Sequence, residues 1–227
     1  EKSFVSNSSR ADVFVTYATT DSRAGFLGLT AFVVPRDRPG VEVEAPMEKM
    51  GLNSCPAGRV RFRQCRIPAS HRLGDEGQGT AVFQHSMAWE RGCLFAAYLG
   101  LMERQLEQCV RQATQRRQFG RSIGSFQAVS HRIAVMKQRL ESSRLLVYRS
   151  AWLLDQGRAQ AGAAALAKVA TSEAAVANSL DAMQIFGAAG YLPATGVERQ
   201  LRDSLPSRVF SGTNEVLLEI VAKDVGL

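Results

Sequence analysis

The sequence predicts an α+β protein, an antiparallel β-domain expected to be incomplete, followed by an antiparallel four-helix bundle. Two observations carry the prediction. Residues 4–73 break into short β-branched and aromatic runs separated by turn residues, whereas beyond residue 79 apolar positions recur three and four apart over long stretches. Between them, Gly74-Asp-Glu-Gly-Gln-Gly79 reads as a loop dividing residues 1–74 from 75–227.

The strand candidates are Phe4-Val5 and residues 13–18, 29–34, 41–43 and 60–67. Pro35-Arg-Asp-Arg-Pro-Gly40, Gly51-Leu-Asn-Ser54 and Ile67-Pro68 punctuate them. In the last run the alternation Val60, Phe62 predicts one buried and one wet face. Too few strands precede these to close a sheet, so the chain is expected to be a piece of a longer protein.

Phe126, Val129, Ile133, Met136, Leu140, Val147, Ala151 and Leu154 follow spacings of three and four with one gap of seven. That is a long helix with a narrow apolar seam. Residues 81 to about 115 and 163 to about 186 behave similarly, and a shorter helix starts near Asn214. The third helix carries small residues along its seam (Ala167, Ala170, Ala174, Ala177), which lets a neighbour approach closely. Helices longer than the ~10–14-residue mean need their seams covered, by one another or by a second subunit. Residues 156–162 read as a plain interhelical turn.

Of 227 residues, 45% are hydrophobic and 22% charged, the balance of a soluble globular protein. No apolar leader is visible at Glu1-Lys-Ser-Phe, and Lys168 and Glu173 interrupt the small-apolar stretch at 161–177. A cytoplasmic protein with no membrane association is expected. Cys55, Cys65, Cys93 and Cys109 form no CxxC pair and are expected to be buried or half-buried thiols without disulfide or metal. His71, His85 and His131 have no metal-ligand spacing and read as surface or turn residues. The net charge of +7 is spread along helices as Arg, so no nucleic-acid partner is expected; a basic surface also suits an anionic substrate.

Four strings stand out. Arg116-Arg-Gln-Phe-Gly120 reads either as a helix end with Gly at C′ or as a diphosphate-binding Arg beside an aromatic cover. Met183-Gln-Ile-Phe-Gly-Ala-Ala-Gly190 reads as a helix cap or as a backbone surface for a cofactor, with Gln184 donating. Phe210-Ser-Gly-Thr-Asn-Glu215 places Thr213 as an N-cap and offers a helix N-terminus to an anion or oxyanion. Trp89-Glu90-Arg91 sets a carboxylate in an apolar helix face (Phe83, Met87, Leu94, Phe95), which is costly unless it is paired or functional. Burial raises a carboxylate's pKa, as an α-proton abstractor requires.

These strings, with others, resemble the acyl-CoA dehydrogenase family, in order over essentially the whole chain. The N-terminal pieces are Lys2-Ser-Phe-Val-Ser-Asn7, Ala11-Asp12, Ala31-Phe-Val33, Pro39-Gly40, Lys49-Met-Gly51, Arg66-Ile-Pro68 and Leu73-Gly74. Then come Gly77-x-Gly79, Trp89-Glu-Arg91, Arg116-x-Gln-Phe-Gly120, Phe126-Gln127, Gln184-Ile-Phe-Gly187, Glu198-Arg199, Arg202-Asp203 and Gly212-Thr213.

The resemblance implies a helical N-terminal domain, absent from this sequence, then a middle β-domain and a C-terminal bundle. FAD would lie between the last two and across a homodimer or homotetramer contact. By position, Phe4, Val5 and Ser6 would line the flavin. Arg116, Gln118 and Phe119 would reach a neighbouring subunit's FAD, and Gln184, Gly187 and Ala188 would meet its adenosine diphosphate half. Ala188 replaces the more usual Gly. Thr213 and Glu215 would contact the cofactor, while Arg91, Phe210, Ser211 and Gly212 would line the substrate.

The main departure is Ser211, where most family members carry the catalytic Glu. A minority branch places the Glu on the first long bundle helix instead, and Trp89-Glu90-Arg91 matches that branch, so Glu90 is the expected base. The implied reaction takes an acyl-CoA or acyl-carrier-protein thioester to its trans-2-enoyl form. The thioester carbonyl would be polarised in part by the Ser211 N–H, and electrons would pass to an electron-transfer flavoprotein. Residues 88–97 are also similar to an antibiotic-pathway branch acting on carrier-protein thioesters, which leaves fatty-acid and secondary metabolism both open. Two other classes remain: a non-catalytic flavin-binding relative that binds DNA or a protein partner, and an oxygen-using oxidase or monooxygenase.

Overall fold

The computed structural model describes residues 1–158 and 160–227 and shows the α+β architecture. Ala159, inside the stretch read as an interhelical turn, lies outside the described residues. Internal contacts divide the chain into Glu1–Ser86 and Met87–Leu227.

In the first unit, β1 (Lys2–Ser6), β5 (Ala57–Phe62) and β4 (Val41–Val43) form one antiparallel sheet in the order β1-β5-β4. β2 (Val13–Thr19), β3 (Leu29–Pro35) and the short β6 (Arg72–Leu73) form a second, β2-β3-β6. β2 and β3 are in continuous register from Val13↔Pro35 to Thr19↔Leu29. Phe14, Val34 and Val60 make the core, with Val5, Phe32, Phe62 and Ile67 packed around them. Lys49 ties down the following loop, its Nζ donating to the carbonyls of Leu52 (2.6 Å) and Cys55 (2.7 Å).

The strand expected over 60–67 lies instead at Ala57–Phe62. Its start was hidden because Ala and Gly have low β-propensity. It ends early because Arg63 N–H turns to the Gly40 carbonyl (2.8 Å) and Gln64 takes φ 48°, which no extended strand accommodates.

The remaining elements are mainly helical: α1 (Gly79–Cys93), α2 (Ala96–Gln115), α3 (Gln127–Asp155), α4 (Ala161–Phe186), α5 (Val197–Ser204) and α6 (Asn214–Asp224). The unit division falls within α1. α4 is the hub of the second unit, packing on α2, α3, α5 and α6. Ala163, Ala164, Ala165, Ala167, Ala174, Ala175 and Ala182 are buried along it, so neighbours approach from several sides. In the expected small-residue seam, Ala167 and Ala174 are buried and Ala170 and Ala177 half-buried.

Two expectations about the helices need correction. The single helix over 81–115 is two helices, broken at Leu94-Phe95. There the chain tightens to three-residue hydrogen bonds, Ala97 N–H to Leu94 and Tyr98 N–H to Phe95, which turns Phe95 fully inward. Just before the break the backbone at Gly92 runs against α3, where an added Cβ would lie 2.8 Å from Leu154 Cδ1. In α3, Leu153 is buried instead of Leu154, which is only half-buried. The gap of seven is filled by Ser143, 2% exposed, and the seam continues through buried Ser150.

Polar ties lock the bundle. Asn178 Nδ2 donates to the Met136 carbonyl (3.1 Å), Gln105 Nε2 to Ser179 Oγ (2.7 Å), and Asp181 accepts from Arg132 and from Arg139 (2.5 Å). Cys109 is fully buried and its thiol is pushed up to about 12, chiefly by burial and further by Asp181. Cys55 and Cys65 are half-buried, but Cys93 is exposed, contrary to expectation, because its side of α1 is left open where Gly92 meets α3. No described helix is long and apolar enough to cross a membrane.

Candidate active site

The site is built where the chain enters α6. A 3₁₀ turn over Leu205–Arg208 leads into Val209 and Phe210, whose N–H groups both donate to the Pro206 carbonyl (2.9 and 3.0 Å). Phe210 packs against Phe95 and Tyr98, with ring centroids 5.7 and 6.2 Å away. Tyr98 in turn donates its hydroxyl to the Asp203 carbonyl (3.0 Å). Burial, with Asp203 adding, pushes that phenol up to about 12, so it stays a donor.

Ser211 and Gly212 then take two successive left-handed conformations, φ 56° and 93°. Thr213 caps α6, its Oγ1 accepting from Val216 N–H (3.4 Å), as the sequence predicts. Glu215 sits in the first turn, its carboxyl held below the usual range by its own main-chain N–H and by the Thr213 hydroxyl.

Ser211 is gripped by two neighbouring residues of α1. Its Oγ–H donates to Glu90 Oε1, and its carbonyl accepts from Arg91 Nε at 2.9 Å. Ser211 thus bridges the two neighbouring side chains, Glu90 through its hydroxyl and Arg91 through its carbonyl. Glu90 is half-buried, not enclosed: Phe83 and Leu94 on the same helix are each 43% exposed, so the apolar face is only partly covered in this chain. Arg91 is drawn below its ordinary range by burial, against the pull of Glu90. A Cβ on Gly212 would stand 3.3 Å from Arg91 Nη2, so this turn admits a main chain and little else.

The structure therefore brings Glu90, Arg91, Phe210, Ser211 and Gly212 together, with Thr213 following. The other expected site residues sit on three further elements. Arg116 caps α2, and Gln118 and Phe119 lie on a hairpin of β7 (Arg117–Gln118) and β8 (Arg121–Ser122). Gly120 does not stand at a helix C′ position, one of the two roles the sequence leaves open for it. Phe119 and Gly120, at φ 51° and 77°, are the two central residues of the hairpin turn, a geometry that requires positive φ at both. Phe119 is 91% exposed, edge-on to Phe126, over which Arg121 also stacks at 4.0 Å. Gln184, Gly187 and Ala188 lie exposed at the end of α4, where Gly187 caps the helix by donating to the carbonyls of Gln184 and Met183. Phe4, Val5 and Ser6 lie on β1, with Phe4 at φ 56° and 76% exposed where the pairing with β5 is irregular.

Sequence reasoning missed two side chains. In the sequence Lys168 is only an interruption of a small-apolar stretch and Asn214 only the start of a helix; the structure hydrogen-bonds them, Nζ to Oδ1, at 2.7 Å. The signal that could have found Lys168 is a lone charge among alanines on a helix without a polar face.

The model of the acyl-CoA dehydrogenase middle domain matches residues 1–65, and that of the acyl-CoA dehydrogenase C-terminal domain matches 77–226. The chain belongs to the acyl-CoA dehydrogenase family. Among relatives, an L-prolyl-[peptidyl-carrier protein] dehydrogenase of Pseudomonas fluorescens is 54% identical over 226 residues, covering 100% of this chain and 60% of its own length. One of the same name from a Serratia strain is 44% identical, covering 100% of this chain and 59% of the relative. Among solved structures, the prolyl acyl carrier protein oxidase AnaB superposes with a TM-score of 0.98 at 42% identity, over 100% of this chain and 60% of AnaB. PigA with FAD and proline gives 0.97 at 44%, over 100% of this chain and 59% of PigA. The chain thus spans about 60% of these relatives.

Proposed function

We propose that the protein is an FAD-dependent acyl-thioester dehydrogenase acting on a prolyl group held on a peptidyl-carrier protein, with Glu90 as the base. The observation that carries this is the Glu90–Ser211 contact: the position that lacks the usual carboxylate is the one that a carboxylate from α1 reaches. The carrier-bound prolyl substrate is supported by the two relatives of that name, and coenzyme A thioesters are the competing substrate class.

The exposed donor set suits FAD: the Arg116 guanidinium and the Gln118 and Gln184 amides for a diphosphate, the open backbone at Gly187 and Ala188, and Phe119 as an aromatic cover. Phe4, Val5 and Ser6 are assigned to the flavin ring, and Thr213 and Glu215 to the cofactor beside the active turn. When bound, the flavin supplies the acceptor for the hydride that leaves the β-carbon. The chain's own residues do the rest. In this reading the Ser211 N–H donates to the thioester oxygen as charge builds there, and Gly212 keeps the approach free of side chains. Glu90 takes the α-proton on its carboxylate, and the double bond forms between the α- and β-carbons. Arg91 orients the turn through the Ser211 carbonyl.

The same reading assigns residues 1–74 to the middle domain and 75–227 to the bundle, in a cytoplasmic homodimer or homotetramer without a nucleic-acid partner. Electrons leave to an electron-transfer flavoprotein. The likeness to an oxidase favours a second reading in which oxygen accepts them, and the reoxidation rate in air separates the two. Anaerobic mixing of the intact, FAD-loaded protein with prolyl-carrier protein, other acyl-carrier thioesters and acyl-CoA tests the proposal. Loss of oxidised-flavin absorbance with the prolyl carrier supports it; retention with every thioester contradicts it.

A further inference from the structure

Lys168 has no exposed surface, on a helix otherwise lined there by Ala164, Ala165, Ala167, Thr171 and Ser172, all buried. An ammonium in such a place is unfavourable unless its hydrogen bonds are met. Its Nζ donates to Asn214 Oδ1 at 2.7 Å and stands 5.7 Å from the centre of the Phe95 ring. Asn214 is held from three sides: its Oδ1 also accepts from Ser172 Oγ (3.1 Å), and its Nδ2 donates to Glu173 Oε1 (2.7 Å). Glu173 is itself bound by Arg208 Nε (2.8 Å).

Asn214 directly follows the cap Thr213 and lies three residues from Ser211. Two consecutive left-handed residues, the first of them not glycine, persist only where their surroundings over-determine them. Glu90 and Arg91 fix this turn from α1. The Lys168–Asn214 bond holds, from α4, the residue two positions after Gly212. We propose that Lys168 is a positioning residue of the thioester site, holding the Ser211–Gly212 turn through Asn214 in the form that faces Glu90. The proposal rests on the roles given above to Glu90 and Ser211. The charges facing Lys168 are Arg91 on α1, Glu173 on α4, Arg208 on the 205–208 turn and Glu215 on α6. Burial foremost, and then Arg91, bring the amine down to about 8, the cost expected of a group kept for its geometry.

The test uses the intact, FAD-loaded protein with Lys168→Met, Lys168→Gln and Glu173→Ala, read by amide hydrogen exchange over residues 209–214 and by steady-state kinetics. Lys168→Met is expected to speed exchange in that segment about tenfold while α2 and α3 stay protected. It should lower kcat by about tenfold or more and leave KM within about threefold, because a misplaced turn costs reaction geometry more than binding. Lys168→Gln, which keeps a donor, should recover both. Unchanged exchange over 209–214 overturns the proposal, as does a kcat loss that Gln does not rescue and that accompanies equal loosening throughout the bundle. Should Lys168→Met fail to fold, Glu173→Ala, at a half-exposed side chain, must still loosen 209–214, and no change there overturns it equally. Failure of the base assignment would appear separately, as flavin reduction surviving Glu90→Gln, with the exchange result still deciding Lys168.

Discussion

Ser211 donates to Glu90 through its hydroxyl and accepts from Arg91 through its carbonyl, so one residue reports the state of the whole site. Gly212→Ala adds a Cβ 3.3 Å from Arg91 Nη2 at φ 93° and is expected to cost about 1–3 kcal/mol, measured by denaturant unfolding, together with most of the activity. Lys168 gives a pH signature with a definite sign. Below about 8 it is charged in both folded and unfolded chains, and the burial cost is fully present. Between about 8 and the ordinary 10.5 the unfolded chain holds the proton and the fold does not, so stability from this group rises with pH. Urea unfolding across that window should show the rise, and Lys168→Met should flatten it. The thiols divide similarly: Cys93 should alkylate readily in the native protein, whereas Cys109, buried and held protonated up to about 12, should react only on unfolding. Glu90 was legible in the sequence because a carboxylate in an apolar face asks for a reason. Lys168 was not, because its partner lies 46 residues away and a single charge in a helix ordinarily means a wet face.

At the scale of elements, period and turn chemistry located the long helices and most strands, since those depend on neighbours in sequence. They failed where tertiary contact decides. The break at Leu94-Phe95 exists because Phe95 is drawn in to meet Tyr98 and Phe210, the latter more than a hundred residues distant. Ser143 fills a seam position that an apolar template leaves blank, because α4 comes close enough there to admit a small residue. A helix cap is one of the two readings the sequence leaves open for the string after α2, because a Gly following basic residues fits a cap and a hairpin alike; the positive φ at Phe119 separates them. Gly120→Ala in this hairpin should cost about 1 kcal/mol by thermal unfolding from backbone strain alone, as an added Cβ meets no atom within 4 Å. By contrast Ala175→Leu, at a position with no exposed surface on α4, should cost about 1–3 kcal/mol through overpacking.

Over the whole molecule, the residues proposed for cofactor and substrate are drawn from both Glu1–Ser86 and Met87–Leu227. The chain spans about 60% of its prolyl-carrier dehydrogenase relatives. The expected flavin residues on β1, the hairpin and the α4 terminus lie on separate elements, exposed except for half-buried Val5, which is why order of motifs along the chain, more than any local pattern, identified the family. In the proposed mechanism a carboxylate on α1 does the work of the one missing before Gly212. Stopped-flow flavin reduction by L-prolyl-carrier protein, in the intact protein and its Glu90→Gln variant at equal flavin loading, tests it most directly. Rapid bleaching is expected in the parent, with a fall of about 100-fold or more in the variant. Bleaching at an unchanged rate in the variant would contradict it and move the base elsewhere.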